Sequence, residues 1–496
     1  MPKAYSPFTI SKFKGQNSAI LGAGIDDSEF TYLQNFNPTR EGLLRKRTGL
    51  INVVSTVYGG TNQRVLGIQR TAAGTDYLIF TDGAKVWRSA LPGLSSATEV
   101  LLAAASIANV SWGFESGYNI PTNQNQFNLV RNPGAPIGIS EAGVAATLGA
   151  GGVATFALAF KERMWLFDSR YANGSESQIF YSKVGDYSTW AAPDGGVMNV
   201  QVGDGDFLVS AIIYNDQLIM FKSRSTWVLS AEGDRLSWTV RQLHGSIGCA
   251  GRGTPVIING FIYFFSGTSV YRTDGTTFED LGLNIKDKFN FAWDTPALTM
   301  GSDATFWDNK YILRLNNSSN TLYVYDIYAD AWTTWVLHGA AACQGFARYQ
   351  EYSTDFLYTG NPVNGKLMRF GDTFYEDDSV GTSTGTGTQV QAQAFTKHMD
   401  FGNPASYKRN HYSELVYGGS AGADTVRVDY VKDSLTTVAN SNKTVLAGTQ
   451  ANIHRFPGAG RFRTLQAKLY NQGTSGCTIY SLLEMNEVKE IVPMNR

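Results

Sequence analysis

One unit of chain recurs along this sequence, and the recurrence limits what the chain can fold into. The unit is an apolar strand, a polar turn of two or three residues, a second strand rich in aromatics, and often a third strand. It occurs at Val65–Arg70 with Tyr77–Phe80 and Lys85–Arg88, and at Phe156–Phe160 with Met164–Phe167. Ala211–Tyr214 with Leu218–Phe221 and Thr226–Leu229 repeats it, as does Val256–Ile258 with Phe261–Phe265 and Ser269–Arg272. Two more follow, Ala304–Trp307 with Tyr311–Leu315 and Thr321–Tyr325, then Phe346–Tyr349 with Phe356–Thr359 and Lys366–Phe370. The turns at Glu162, Asp216, Gly260, Asn309 and Thr354 lie roughly 44 to 54 residues apart, near the length of a four-stranded propeller blade. From Thr75 to Glu162 the interval is about twice that. One further blade is therefore expected between them, with Phe127–Val130 and Ile137–Ile139 as its strands, for about seven in all.

A single such sheet has two apolar faces and cannot bury both. Radial stacking covers each face with the next blade and leaves only short edges. The rivals are a pair of β-sandwiches or an open β-solenoid, since the repeat length varies and no fixed blade signature recurs. Composition points to all-β structure in each case: Gly is 52 of 496 residues and aromatics are 13%. Rings fit a pleated, half-buried surface, and glycine supplies positive φ at corners.

After Phe370 the pattern changes. Glu376-Asp377-Asp378 leads into a Gly/Thr-rich run ending at Thr388, and beyond it Gln389–Phe395, His411–Tyr417, Thr425–Val431 and Phe462–Leu469 alternate with period two. The organisation read from this is an N-terminal arm with short strands over 1–55, a β-propeller of six to eight blades over 56–378, a linker over 379–388, and a C-terminal β-sandwich of about seven strands over 389–496.

Charge and cysteine usage narrow the function. Lys plus Arg is 41 against 42 for Asp plus Glu, so the chain exerts no global pull on nucleic acid or anionic lipid. Cys249, Cys343 and Cys477 are scattered singly, as expected of reduced thiols in a chain folded in a cytoplasm. Met1–Gly15 is polar and lacks a secretory h-region. The most apolar window, Gly143–Phe160, is broken by glycines and reads as a loop feeding a strand, with no membrane span.

A search for reactive groups assigns no catalytic, cofactor or metal-binding residue. Gly149-Ala150-Gly151-Gly152 precedes a strand and no Lys-Ser/Thr follows it, so it lacks the frame of a phosphate loop. His244, His338, His398, His411 and His454 show no metal-ligand spacing, and Asp204-Gly205-Asp206 offers too few oxygens for calcium and reads as a turn. Tyr181–Trp190 and Tyr325–Trp335 each place an Asp before a Trp; the carboxylate is expected to hold a turn and the indole to close a blade, with carbohydrate stacking as the functional alternative. Arg40, Arg45, Lys46 and Arg47 crowd into eight positions and are the candidate contacts to an acidic partner or phosphate, against a plain solvated run.

Asn35-x-Asn37 followed by Gly42-Leu-Leu-Arg45-x-Arg47-x-Gly49 resembles an N-terminal signature of tail proteins of short-tailed bacteriophages. Ile257–Phe265 running through Val270–Gly275, and Ser182–Asp186 ending at Trp190, are similar to units of the same proteins. The family is the packaged-DNA stabilisation protein or tail hub, related to the tail nozzle (tail tubular protein B). The resemblance covers residues 30–370 well and the C-terminal region weakly.

It implies a virion structural protein of the tail, made in the cytoplasm of a bacterial host. Such a protein forms a homohexameric tube below the adaptor (head-to-tail connector), meets a tail fibre or a needle or plug protein, and passes double-stranded DNA through its lumen without a cofactor. The chain is shorter than the larger nozzle proteins, so their inserted domains are not carried over. A lumen dense in Lys or Arg would grip phosphates, so a neutral or acidic one is expected. The alternative reading is a carbohydrate-binding or glycan-cleaving propeller of a receptor-binding tail module.

Overall fold

Each recurring unit folds into an antiparallel sheet of four strands in chain order, except the last, which takes its fourth strand from the N-terminal residues. The computed structural model describes residues 5–488 apart from 20–23, 54–62, 95–96, 101–109, 120–123, 132–134, 150–153, 168–176, 290–300, 317–319, 352, 372, 379–386, 403–405, 420–423, 435, 441 and 445–447. The sheets begin and end at 64–99, 110–147, 156–199, 208–244, 256–280, 303–336 and 344–370; they are blades 1 to 7 of a β-propeller.

Side chains alternate across each strand, and the blades use both faces. In blade 1, Leu78 and Phe80 pack toward blade 7 while Ile79 packs toward blade 2. In blade 4, Leu218 and Met220 turn to blade 3 and Ile219 and Phe221 to blade 5. The same sorting builds an apolar cluster at every junction around the wheel. Ala347, Tyr358 and Leu367 of blade 7 against Val65, Leu78 and Phe80 of blade 1 close it. Each fully buried Leu or Phe contributes roughly 1.5–3 kcal/mol.

Blades 3 to 6 join their first two strands by one kind of turn, with both residues at positive φ. These are Lys161 and Glu162 (51° and 57°), Asn215 and Asp216 (47° and 58°), Asn259 and Gly260 (49° and 80°), and Asp308 and Asn309 (48° and 57°). Two consecutive left-handed residues match the twist of the flanking strands, which is why Asn, Asp and Gly recur there.

Blade 7 takes only three strands from its own stretch of chain. Its outermost strand is Ile51–Asn52, paired antiparallel with Met368 and Arg369. The second body is a β-sandwich around one apolar core, from Ile10, Phe13, Phe30 and Leu33 through Val428, Leu469 and Leu482. One sheet runs in the order 36–38, 44–46, 477–488, 408–419, 448–462, with Tyr5–Ile10 also on 477–488. The other contains 30–34, 392–396, 465–472, 425–432 and 436–438, and it is continuous with blade 6, because Gln34 pairs parallel with Thr334.

Two sequence expectations need correction. The segment read as an arm with short strands, 1–55, packs into the sandwich and blade 7, so the sandwich expected over 389–496 is not confined to that range. Phe462–Leu469 is not one strand, since the chain turns at Arg463–Thr464 between 448–462 and 465–472. Most of the expected linker, 379–386, and the glycine-rich 150–153 lie outside the described residues.

Candidate functional site

The basic run belongs to a short hairpin, Phe36–Pro38 paired with Leu44–Lys46. Its turn is closed by Thr39 N–H donating to Leu43 O (2.8 Å) and Gly42 N–H to Thr39 O (2.9 Å). Gly42 sits at φ 85°, and a Cβ there would lie 2.9 Å from Lys12 Cα, so both backbone angle and space call for glycine.

Alternation along 44–46 turns Arg45 out and Lys46 in, and Arg47, just past the strand, is also buried. Arg40 is exposed. Lys46 Nζ meets Asp424 (3.3 Å), Gly473 O (2.7 Å) and Ser475 O (3.1 Å); burial lowers its pKa, against the pull of Asp424. All five N–H donors of Arg47 are used. Nε donates to Asn35 Oδ1 (2.7 Å), Nη1 to Thr48 O and Asp377 Oδ1 (both 2.9 Å), and Nη2 to Val336 O (2.8 Å) and Asp377 Oδ2 (2.6 Å). Asp377 accepts in addition from the backbone N–H of Leu50 and of His338 (both 2.9 Å). As contacts to an external partner, Lys46 and Arg47 are therefore corrected: their charges are spent inside the molecule.

The rest of the signature surrounds that ion pair. Asn35, at φ 57°, donates through Nδ2 to Val336 O (3.0 Å) and Gln391 O (2.7 Å) and lies 3.2 Å from His338 Nε2. Burial lowers the pKa of His338, against the pull of Asp377. Asn37 Oδ1 accepts from Trp335 Nε1 (2.7 Å). A Cβ on Gly49 would lie 1.9 Å from Glu376 O. Asn35, Asn37, Arg47 and Gly49 thus fasten the sandwich to blade 6 and to residues 376–377, which follow blade 7.

Beside this knot lies a cleft of about 460 Å³ between the hairpin and blade 6. Arg40, Glu41 and Arg45 line one wall and Trp307, Asp308, Lys310, Asp326 and Tyr328 the other, with Trp335 and Tyr375 between. The blade wall's carboxylates are occupied: Asp308 holds Lys310 (2.7 Å), and Asp326 holds Lys310 (3.5 Å) and the N–H groups of Tyr328 (3.0 Å) and Ala329 (2.9 Å). Among the described residues Arg40 and Arg45 have no ion pair. Sequence reasoning found the two arginines but not the cleft, whose other wall lies some 270 residues downstream.

The Asp-before-Trp segments act as fasteners. Asp186 holds Ser188 N–H (2.9 Å), while Trp190 Nε1 reaches back to Leu148 O (2.9 Å) in the connection from blade 2. Trp332 Nε1 donates to Leu281 O (2.7 Å), and Trp307 Nε1 to Asp355 O (2.9 Å) of blade 7. Trp332 and Trp335 are each 2% exposed, which leaves neither ring face open for a sugar. Asp204 binds Lys222 (2.6 Å) and Asp206 accepts from Ser223 and Ser225, so that pair braces a loop. Burial pushes all three thiols up to about 12, which keeps them protonated and unreactive. Among the described residues no group of three His, Cys, Asp or Glu side chains is placed to hold a metal, and no helix is long and apolar enough to cross a membrane.

No protein-family model and no curated protein matches the sequence. Solved structures similar to it include PorZ, a surface component of the type-IX secretion system of Porphyromonas gingivalis, at 12% identity over 72% of this chain and 44% of that one, TM-score 0.40. This chain thus spans less than half the length of PorZ. Virginiamycin B lyase from Staphylococcus aureus is 12% identical over 66% of this chain and 99% of its own, TM-score 0.40. A chain of the mitotic checkpoint complex is 11% identical over 71% and 99%, TM-score 0.42. Likeness at this level carries no inference about activity.

Proposed function

We propose that the chain is a structural subunit of a short-tailed phage tail: a hub or nozzle that assembles as a homohexamer below the adaptor and retains and conducts the genome. One observation carries the reading. Of the residues of the phage-tail signature, Asn35, Asn37, Gly42, Arg47 and Gly49 lock hairpin, sandwich and wheel into one body, while Arg45 stays exposed. The resemblance thus rests on residues with an architectural task, which suits a part whose work is to be assembled and bear load. The net charge of −1 supports a channel through which DNA slides without being gripped.

The test is to purify the chain alone and together with a phage head-to-tail connector protein, then measure mass by light scattering and image the particles. Rings near six times 54.2 kDa stacked on the connector are expected. These rings should leave the mobility of duplex DNA unchanged at moderate salt. A chain that ignores the connector and binds a defined glycan on an array would replace this reading with the carbohydrate-binding one.

A further inference from the structure

We infer that the cleft between the 36–46 hairpin and blade 6 binds a short segment of an uncharged glycan, through hydrogen bonds to sugar hydroxyls and contact with the exposed ring of Tyr328. The site goes beyond the assembly reading above and does not depend on it.

Charge decides the class of guest. Arg40, Arg45 and Lys310 stand in the lining against Glu41, Asp308 and Asp326, so positive and negative groups balance. Lys46 and Arg47, which also line it, are neutralised by Asp424 and Asp377. A phosphate or an acidic peptide would meet carboxylates here, and a basic peptide would meet arginines. Many of the polar groups are also unspent. Among the described residues the side chains of Arg40, Arg45, Asn309, Tyr328 and Tyr375 make no hydrogen bond, and Asn37 engages only its oxygen, on Trp335 Nε1 (2.7 Å). Arginine only donates, carboxylates only accept, and the amides and phenols do both. A sugar hydroxyl likewise donates one bond and accepts others, so this mixture satisfies it where it would oppose an ion of either sign.

The walls are ordered in advance. Tyr328 is 57% exposed, and its turn is fixed by its own N–H and that of Ala329, both donating to Asp326 (3.0 and 2.9 Å). On the facing rim Thr39 N–H donates to Leu43 O (2.8 Å) and Leu43 N–H to the Thr39 hydroxyl (3.2 Å). A guest is therefore spared much of the cost of ordering the site. Trp307 and Trp335 are 7% and 2% exposed, and their indole N–H groups are spent on Asp355 O and Asn37, so they form a floor that no sugar can stack on. The aromatic surface left for the C–H face of a sugar ring is Tyr328, with its hydroxyl free at the edge. A volume of about 460 Å³ falls within the range of small-molecule sites.

The full chain is screened on an array of neutral hexose and N-acetylhexosamine oligosaccharides, and the best of them is titrated by calorimetry beside sialyllactose and inorganic phosphate. A neutral oligosaccharide is expected to bind, with an affinity that added salt leaves unchanged. Arg45→Met and Tyr328→Ala alter exposed side chains, so both should keep the parent's melting curve, and each should weaken that binding about tenfold. Leu236→Ser, an exposed change on blade 4 outside the cleft, should not weaken it. An array with no neutral ligand, a preference for sialyllactose or phosphate, or an affinity that neither cleft variant alters would each overturn the glycan site while leaving the assembly reading in place. A chain that binds the glycan and also stacks on the connector supports both; one that binds it and ignores the connector keeps the site and overturns the hub.

Discussion

Arg47 makes five hydrogen bonds where the two bodies meet. Its partner Asp377 lies 330 residues away in sequence, and both are buried. Arg47→Ala leaves Asp377 in the interior with only two backbone N–H donors, and removing one member of a buried pair costs about 3–5 kcal/mol. The expected result is a drop of that order in chemical denaturation. Replacing both partners by apolar residues should recover only part of it, because the N–H groups of Leu50 and His338 would lose their acceptor. Glu484 presents a second case. Burial in the sandwich pushes its pKa up to about 8, against the smaller opposing effect of hydrogen bonds from Ser413 and Asn410. With the folded value above the unfolded one, the neutral acid's contribution is complete at pH values below the ordinary carboxylate range and is lost as pH rises through about 8. Glu484→Gln should therefore melt near the parent at pH 5 and above it at pH 9.

At the scale of elements, legibility followed local pairing. The hairpins of blades 3 to 6 were readable because strand, turn and strand are contiguous and the turn residues suit left-handed φ. Blade 2's first strand, Val110–Asn119, was not read: Gly113 and Gly117 interrupt its alternation, and its register shifts twice. Gly448–Phe462 escaped for the same reason, with Pro457, Gly458 and Gly460 inside it. The fate of Lys46 and Arg47 was illegible, since alternation says that one residue turns inward but not which carboxylate awaits it. Two glycines show how such positions differ. Gly260 has no atom near a would-be Cβ, so Gly260→Ala costs only backbone strain, about 1 kcal/mol. Gly49→Ala would place a carbon 1.9 Å from Glu376 O and should yield insoluble or unfolded protein; equal soluble yields from the two variants would contradict this account.

For the whole molecule, wheel and sandwich share a sheet through residues 30–34, and the wheel's last strand and half the sandwich's first sheet come from residues 5–52. The two bodies should therefore unfold in a single step, with coincident curves from tryptophan emission, which reports the blades, and far-ultraviolet dichroism, which reports both. The fragment 56–378, read from the sequence as a complete propeller, lacks its 51–52 strand and is expected to expose blade 7 and aggregate. A soluble fragment melting close to the full chain would show instead that closure by the N-terminus is dispensable. Domain boundaries drawn along the sequence failed here because the chain begins in one body, circuits the other, and returns.

That itinerary has a consequence for synthesis. Apart from the 36–38/44–46 hairpin, the strands of the first fifty residues leave the ribosome before their partners, and Met368, the mate of Asn52, follows some 316 residues later. At 5–20 residues per second that is a wait on the order of tens of seconds. Throughout it Phe30, Leu33 and Phe36 are uncovered, so the nascent chain should be a client of ribosome-bound chaperones until translation is nearly complete.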